Sequence, residues 1–260
     1  MTGQIEPYYF KTPQNGVFLH FMRSAGTVAL TGEAVAGHHS EGRYDLTKAK
    51  GEVAYCRRRA EAMLENASPL MDIYREDGAA RLNAFLLADS RTPGRRRYIL
   101  HTPPLCTMEP DCLAALLEKQ GLPEENRQRI RAYARTRREQ LETILLTDTV
   151  HLELPRLTER AFAQFPPALP LSGLFYGQDV PYTYETYLAH LAQTEAFAAA
   201  HPRCELEFTG GGAFRNLQIT IHEGQWAMVS KGKSPAIHFV IRHPKLRAAI
   251  ERFVPPMVEE

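Results

Sequence analysis

Two clusters of basic side chains carry the groups that could do chemistry in this sequence. The first, residues 38–44, places two imidazoles and a guanidinium in a glycine-containing loop ahead of a predicted helix. Such donors near a helix N-terminus favour an anion, because the helix dipole adds partial positive charge there. Within this cluster we predict that the ligand-binding residues are His38, His39 and Arg43.

The second cluster surrounds the last predicted hairpin and strand, and it contains Lys231, Lys233, His238, Arg242 and His243. Alternate side chains of a strand share a face, so His238 and Arg242 are predicted to line one wall. Both clusters fit a ligand pocket, and both also fit ordinary polar surface. Within the second cluster we predict that Lys231, His238 and Arg242 bind the ligand.

Two glycine-containing motifs come close to nucleotide-binding signatures. Gly232-Lys233-Ser234 matches the end of a phosphate-binding loop, but Ala227 stands where that motif needs glycine, and the stretch joins two predicted strands. The glycines at 210–212 are followed by Arg215 where a dinucleotide fingerprint has glycine, and a strand is predicted next. Both the residue types and the predicted secondary structure around these motifs therefore argue against nucleotide binding.

Complete metal and catalytic signatures are absent from the sequence. His101, Cys106 and Cys112 lie at gaps outside the usual zinc spacings, and the adjacent His38 and His39 tend to diverge. Neither a GxSxG nor an HExxH motif occurs. We predict no catalytic residue, no metal ligand and no cofactor.

Six arginines crowd residues 127–138, and Arg127, Arg131, Arg135 and Arg138 share one helical face. Such a face could hold phosphates. Glutamates four residues beyond Arg135 and Arg138 favour instead a solvated face laced with ion pairs.

Bulk properties exclude several classes of protein. The net charge of +1 gives no global field toward nucleic acid or an anionic membrane. The four cysteines form no CxxC pair, which fits a reducing compartment. With neither a signal peptide nor a membrane-spanning apolar run, the sequence predicts a cytoplasmic protein without membrane contact.

The order of predicted elements indicates a mixed α/β fold, in which helices pack on a mixed sheet. Helices are predicted over 46–67, 77–89, 123–146 and 183–200, with others from Pro110 and Pro244. Residues 217–222 and 225–231 alternate with period two and predict an antiparallel hairpin, followed by a strand at 236–242. We predict a helix-rich half at 1–150, a proline-rich crossing at 151–182 and a second α/β half at 183–260, possible as one continuous domain.

Four stretches carry a family resemblance: GRYDL at 42–46, PLMDIYR at 69–75, YILHTPPLCTMEPDCL at 98–113 and WAMVSKGKSPAIHFVIRHPKL at 226–246. Together they resemble the sensor or effector region that follows the helix-turn-helix in bacterial helix-turn-helix transcriptional regulators. The resemblance implies a region that senses an effector or oligomerises. No helix-turn-helix is predicted in this chain, so contact with DNA would require a separate one.

These observations together predict a ligand-sensing domain of a bacterial transcriptional regulator that binds a small anionic metabolite and forms a homodimer. Two alternatives stay open. One is an enzyme acting on a phosphorylated small molecule through a site assembled from scattered residues. The other is a pure dimerisation module built on the amphipathic helices at 46–67 and 123–146.

Overall fold

The computed structural model describes residues 5–11, 18–209 and 216–254. The chain forms two compact units, one of residues 6–70 and one of Ile5 with the chain from residue 71 onward. The crossing predicted at 151–182 falls inside the larger unit. Within the described ranges, no helix is long and apolar enough to cross a bilayer.

The smaller unit is a three-stranded antiparallel meander with one helix. Val53 and Cys56 of the helix bury against Ala29 of the central strand. The helix predicted from residue 46 begins later, because residues 43–47 pair with the central strand instead. The elements are β1 (Tyr8–Tyr9), β2 (Phe18–Ala25), β3 (Val28–Val35), β4 (Arg43–Thr47), α1 (Lys50–Glu65) and β5 (Ser68–Pro69), with β1 paired to β5.

The larger unit is built on a mixed sheet of seven described strands in the order β6-β12-β11-β10-β7-β8-β9. The β7-β8 and β8-β9 pairs are parallel, and the remaining pairs are antiparallel. The elements are β6 (Asp72–Tyr74), α2 (Ala79–Asp89), β7 (Arg96–Ile99), α3 (Pro110–Lys119), α4 (Glu124–Leu145), β8 (Val150–Pro155), α5 (Glu159–Gln164), α6 (Tyr184–Ala200), β9 (Cys204–Thr209), β10 (Leu217–His222), β11 (Trp226–Lys231), β12 (Ile237–Ile241) and α7 (Pro244–Glu251).

The mixed α/β class is confirmed, and so is the C-terminal arrangement of hairpin, strand and helix. β10 and β11 form the hairpin, and β12 continues the sheet beside it. Pro244 occupies the first turn of α7, where its fixed φ suits a helix and its missing N–H costs nothing. Thr183 caps α6, accepting from the amide of Thr186 while the Thr186 hydroxyl accepts from the amide of Thr183.

Strand register assigns each side chain of the sheet to one of two faces. Paired residues share a face, so Tyr98, Thr220 and Met228 lie together on one side. We call it the Tyr98 face. The opposite face carries Ile99 and Ile219 and is covered by apolar residues in and beyond α7.

Two separate apolar clusters cover the Tyr98 face. Toward β8 and β9, Leu152 and Leu154 pack in a core with side chains of α3, α4 and α6. Toward β11 and β12, Met228 and Val240 pack under Leu82 of α2. The central strands β7 and β10 run between these two clusters.

A buried polar network closes one end of the central strip. The Asp89 carboxylate, at the end of α2, accepts from Trp226 Nε1 at 2.7 Å and lies 2.7 Å from His222 Nδ1. Its other oxygen is 3.1 Å from Nη2 of Arg96, whose side chain is 1% exposed. A buried cation must be paired, so this carboxylate joins α2 to β7, β10 and β11.

We expect Asp89→Ala to lower the free energy of unfolding by about 3–5 kcal/mol, since it leaves the Arg96 guanidinium buried and unpaired. Asp89→Asn should lose less, because the amide oxygen still accepts one bond. Asp179→Ala, at an exposed aspartate, is the matched control. Urea denaturation measures all three, and equal losses at positions 89 and 179 would contradict the assignment.

Candidate functional site

The centre of the Tyr98 face is polar and reaches solvent. Tyr98, Gln218 and Thr220 stand on the central strands β7 and β10, yet all three side chains are partly exposed. Central strands under two helical layers are ordinarily buried and apolar. Although Tyr98 packs against the first cluster, this polar strip between the two apolar clusters is only partly covered.

Helix α4 presents Tyr133 and Arg137 toward the strip. The two residues are one helical turn apart, so they share a face, and the Arg137 charge acts on both Tyr98 and Tyr133. Arg137 is partly buried, and its Nη1 donates to Gln140 Oε1 at 2.7 Å. No carboxylate of the described residues forms an ion pair with it.

A short 3-10 turn, Ser172–Leu174, borders the site between Tyr133 of α4 and Gln218 of β10. Gln218 Nε2 donates to Ser172 Oγ at 3.2 Å. A Cβ at position 173 would clash with the Tyr133 hydroxyl, so glycine lets the turn approach α4 this closely without a shift of Tyr133. We define the central polar patch as Tyr98, Tyr133, Arg137, Ser172 and Gln218.

The two tyrosine hydroxyls of the patch stay protonated at neutral pH. Burial raises the pKa of Tyr98 to about 12, and Arg137 opposes part of that rise. Burial likewise raises the pKa of Tyr133. Both groups are therefore neutral hydrogen-bond donors beside a fixed cation, an arrangement suited to an anion.

His238 adjoins the patch, but both of its ring nitrogens are already occupied. Nε2 lies 3.0 Å from the Ser172 carbonyl, which can only accept, so Nε2 carries the proton and Nδ1 accepts from Ser230 Oγ at 2.7 Å. Burial lowers the pKa of His238 to about 4. The imidazole is thus neutral, and it orients the Ser172 turn over the sheet.

The other two predicted residues of the C-terminal cluster lie elsewhere in the unit. Arg242 pairs with Asp72, and its guanidinium carbon is 5.1 Å from the ring centre of Phe85. Lys231 is paired with Ile237 in the register and faces the side opposite to His238. The structure therefore does not bring Lys231 and His238 onto one surface.

The predicted N-terminal cluster belongs to the smaller unit and is exposed. His38 and His39 lie at the start of the 3-10 turn His39–Glu41, and the Tyr44 hydroxyl donates to the His39 carbonyl at 3.0 Å. Arg43 pairs with Asp45 at 3.0 Å, with 78% of its side chain exposed. An exposed pair of this kind contributes little, and these side chains form no enclosed site.

A second buried histidine of the larger unit, His190, holds neighbouring segments together. His190 is fully buried between Tyr182 and the Pro104 carbonyl, and burial lowers its pKa to about 3. No three His, Cys, Asp or Glu side chains converge on a metal position anywhere in the described ranges. The glycines at 210–212 and Arg215 lie outside the described residues.

Ion pairs line much of the arginine-rich face of α4, and of the two predicted pairs Arg138–Glu142 forms whereas Arg135–Glu139 does not. Arg127 and Arg131 pair with Glu124, and Arg138 pairs with Glu109 and, at 3.8 Å, with Glu142. Those charges are compensated and do not form a phosphate surface.

Arg137 is not among the site residues predicted from the sequence, although the sequence contains one signal for it. It stands at helical spacing from Ile130, Tyr133, Leu141 and Ile144, the apolar stripe of α4. A cation in a core-facing stripe needs a partner or a function. The hydrogen bond between Gln218 and Ser172 joins residues 46 positions apart in the chain, and no local pattern indicates it.

No protein-family model matches the chain, and a search of curated proteins finds no match.

We expect the stability of the protein to fall as the pH drops from about 6.5 to about 4. The folded pKa of His238 lies below the ordinary histidine value of 6.5, so the unfolded chain takes up the proton first. The stabilisation is present above pH 6.5 and is lost toward the folded pKa of about 4. His238→Gln should reduce this pH slope by up to about 1.4 kcal/mol per pH unit. Urea denaturation across this pH range measures the slope, and an unchanged slope in the variant would contradict a neutral buried imidazole.

Proposed function

We propose that the larger unit is an effector-binding domain that takes a small anionic metabolite at the central polar patch. The single observation that carries the proposal is the partly buried guanidinium of Arg137, which faces open polar groups on central strands and has no acidic partner among the described residues.

The positive charge of the partly buried Arg137 guanidinium needs compensation. A partly desolvated guanidinium loses hydration, and that loss is offset only when an anion or several acceptors replace the water. The Arg96 guanidinium follows this rule through Asp89. Arg137 has one amide oxygen, from Gln140, and an anionic ligand would supply the remaining compensation.

The hydroxyls and amide of the patch support a binding role over a catalytic one. Tyr98 and Tyr133 are held neutral by burial, and His238 has both nitrogens engaged. General acid–base catalysis needs a group that titrates near the working pH, and these groups do not. They are suited to orienting a ligand.

The resemblance to the effector region of helix-turn-helix regulators supports the same role. In such a protein, ligand binding changes the behaviour of a DNA-binding part. We propose that this domain acts in the cytoplasm, and that any contact with DNA belongs to a separate helix-turn-helix. Self-association through its amphipathic helices is part of the same proposal.

We expect a library of anionic metabolites, screened by thermal shift, to contain compounds that stabilise the protein. A ligand at about 100 times its dissociation constant adds roughly 2.7 kcal/mol. Arg137→Gln should abolish this stabilisation, because it removes the only charge assigned to the ligand.

Arg135→Gln is the matched control, since Arg135 is an exposed arginine on the same helix. If no anion stabilises the protein, or if ligands stabilise the Arg137→Gln variant as well as the unaltered chain, the proposed function is wrong.

A further inference from the structure

We infer that the ligand of the central polar patch is a carboxylic acid bearing a single negative charge, and not a phosphate ester. This inference rests on the proposed function and adds the chemical class of the ligand. It follows from the charge, the geometry and the donors that the patch contains.

The charge of the patch matches one negative charge. Arg137 supplies one uncompensated positive charge, whereas Arg96 is neutralised by Asp89. His238 adds none, because its Nε2 proton donates to a carbonyl and its Nδ1 accepts. A phosphate monoester carries close to two negative charges at neutral pH and would leave one without a counterion in a partly buried site.

The free edge of the Arg137 guanidinium is complementary in geometry to a carboxylate. Nη1 donates to Gln140, and the edge formed by Nε and Nη2 makes no hydrogen bond to the described residues. Two parallel N–H donors on one edge match the two oxygens of a carboxylate, and this bidentate pairing is directional as well as strong.

The neighbouring donors fit the same anion. The neutral Tyr98 and Tyr133 hydroxyls can each donate one hydrogen bond to a carboxylate oxygen. Gln218 Nε2 donates to the buried Ser172 Oγ, and Gln218 Oε1 is left as an acceptor at the partly exposed edge of the patch. A tetrahedral dianion with three terminal oxygens ordinarily recruits several cationic or backbone N–H donors, and the patch offers one cation.

Three probes that share a phenyl ring separate the ligand classes: benzoate, its neutral isostere benzamide and the tetrahedral phenylphosphonate. Binding is followed through the side-chain Nε–H resonances of arginine in the NMR spectrum of the full chain. We expect benzoate to shift the Arg137 resonance saturably, and benzamide and phenylphosphonate to bind at least about tenfold more weakly.

Arg137→Lys is the informative variant, because it keeps the charge and removes the two-donor edge. We expect it to weaken benzoate binding by about tenfold or more, while the control Arg135→Lys leaves binding unchanged. Tyr98→Phe should give a smaller loss, of a few-fold, for one hydrogen bond.

Two results overturn the inference. In one, phenylphosphonate or benzamide binds at Arg137 as tightly as benzoate; in the other, benzoate does not bind at all. The proposed function is judged separately, by whether any anion of the metabolite library stabilises the unaltered chain but not Arg137→Gln. If a phosphorylated metabolite passes that test, the proposed binding site is supported and the inference of a carboxylate ligand is wrong.

Discussion

The carboxylate of Asp89 is the contact on which the arrangement of the larger unit depends. It accepts a hydrogen bond from Trp226, lies against His222 and neutralises Arg96. One side chain at the end of α2 therefore determines how that helix packs on three neighbouring strands. A buried charge set of this kind is expensive to desolvate and contributes geometric definition more than net stability. With α2 held at this position, the apolar cluster around Leu82 and Val240 can form on one side of the central strands only.

The opening over the central strands is a consequence of having two apolar clusters on one sheet face. The core around Leu152 belongs to α3, α4 and α6, and the core around Val240 belongs to α2. Tyr98 packs at the edge of the first core, and the polar Thr220 and Gln218 beside it on β10 stay partly exposed. Arg137 of α4 and the turn at Ser172 border this polar strip, so the patch is assembled by packing and not by a sequence motif.

The fold was more predictable from the sequence than the candidate site. Period-two alternation from Leu217 onward identified the β10-β11 hairpin, and Pro244 identified the start of α7, because both signals are local. The strand β8 was missed within the proline-rich stretch, since its Glu153 reads as a surface residue. In the structure that glutamate is 4% exposed and pairs with Arg97 of the neighbouring strand, which no local pattern can show. The same reason explains Arg137, whose charge acts on Tyr98 and His238, two residues distant in the sequence.

The close approach of the Ser172 turn to α4 has a consequence for the history of this chain. With a tyrosine at position 133, any side chain larger than hydrogen at position 173 forces the tyrosine or the turn to shift. The two positions are therefore coupled under substitution, because a smaller residue at 133 removes the steric conflict that a change at 173 creates. In a set of homologous sequences this steric exclusion would be visible as correlated exchange between two sites 40 residues apart.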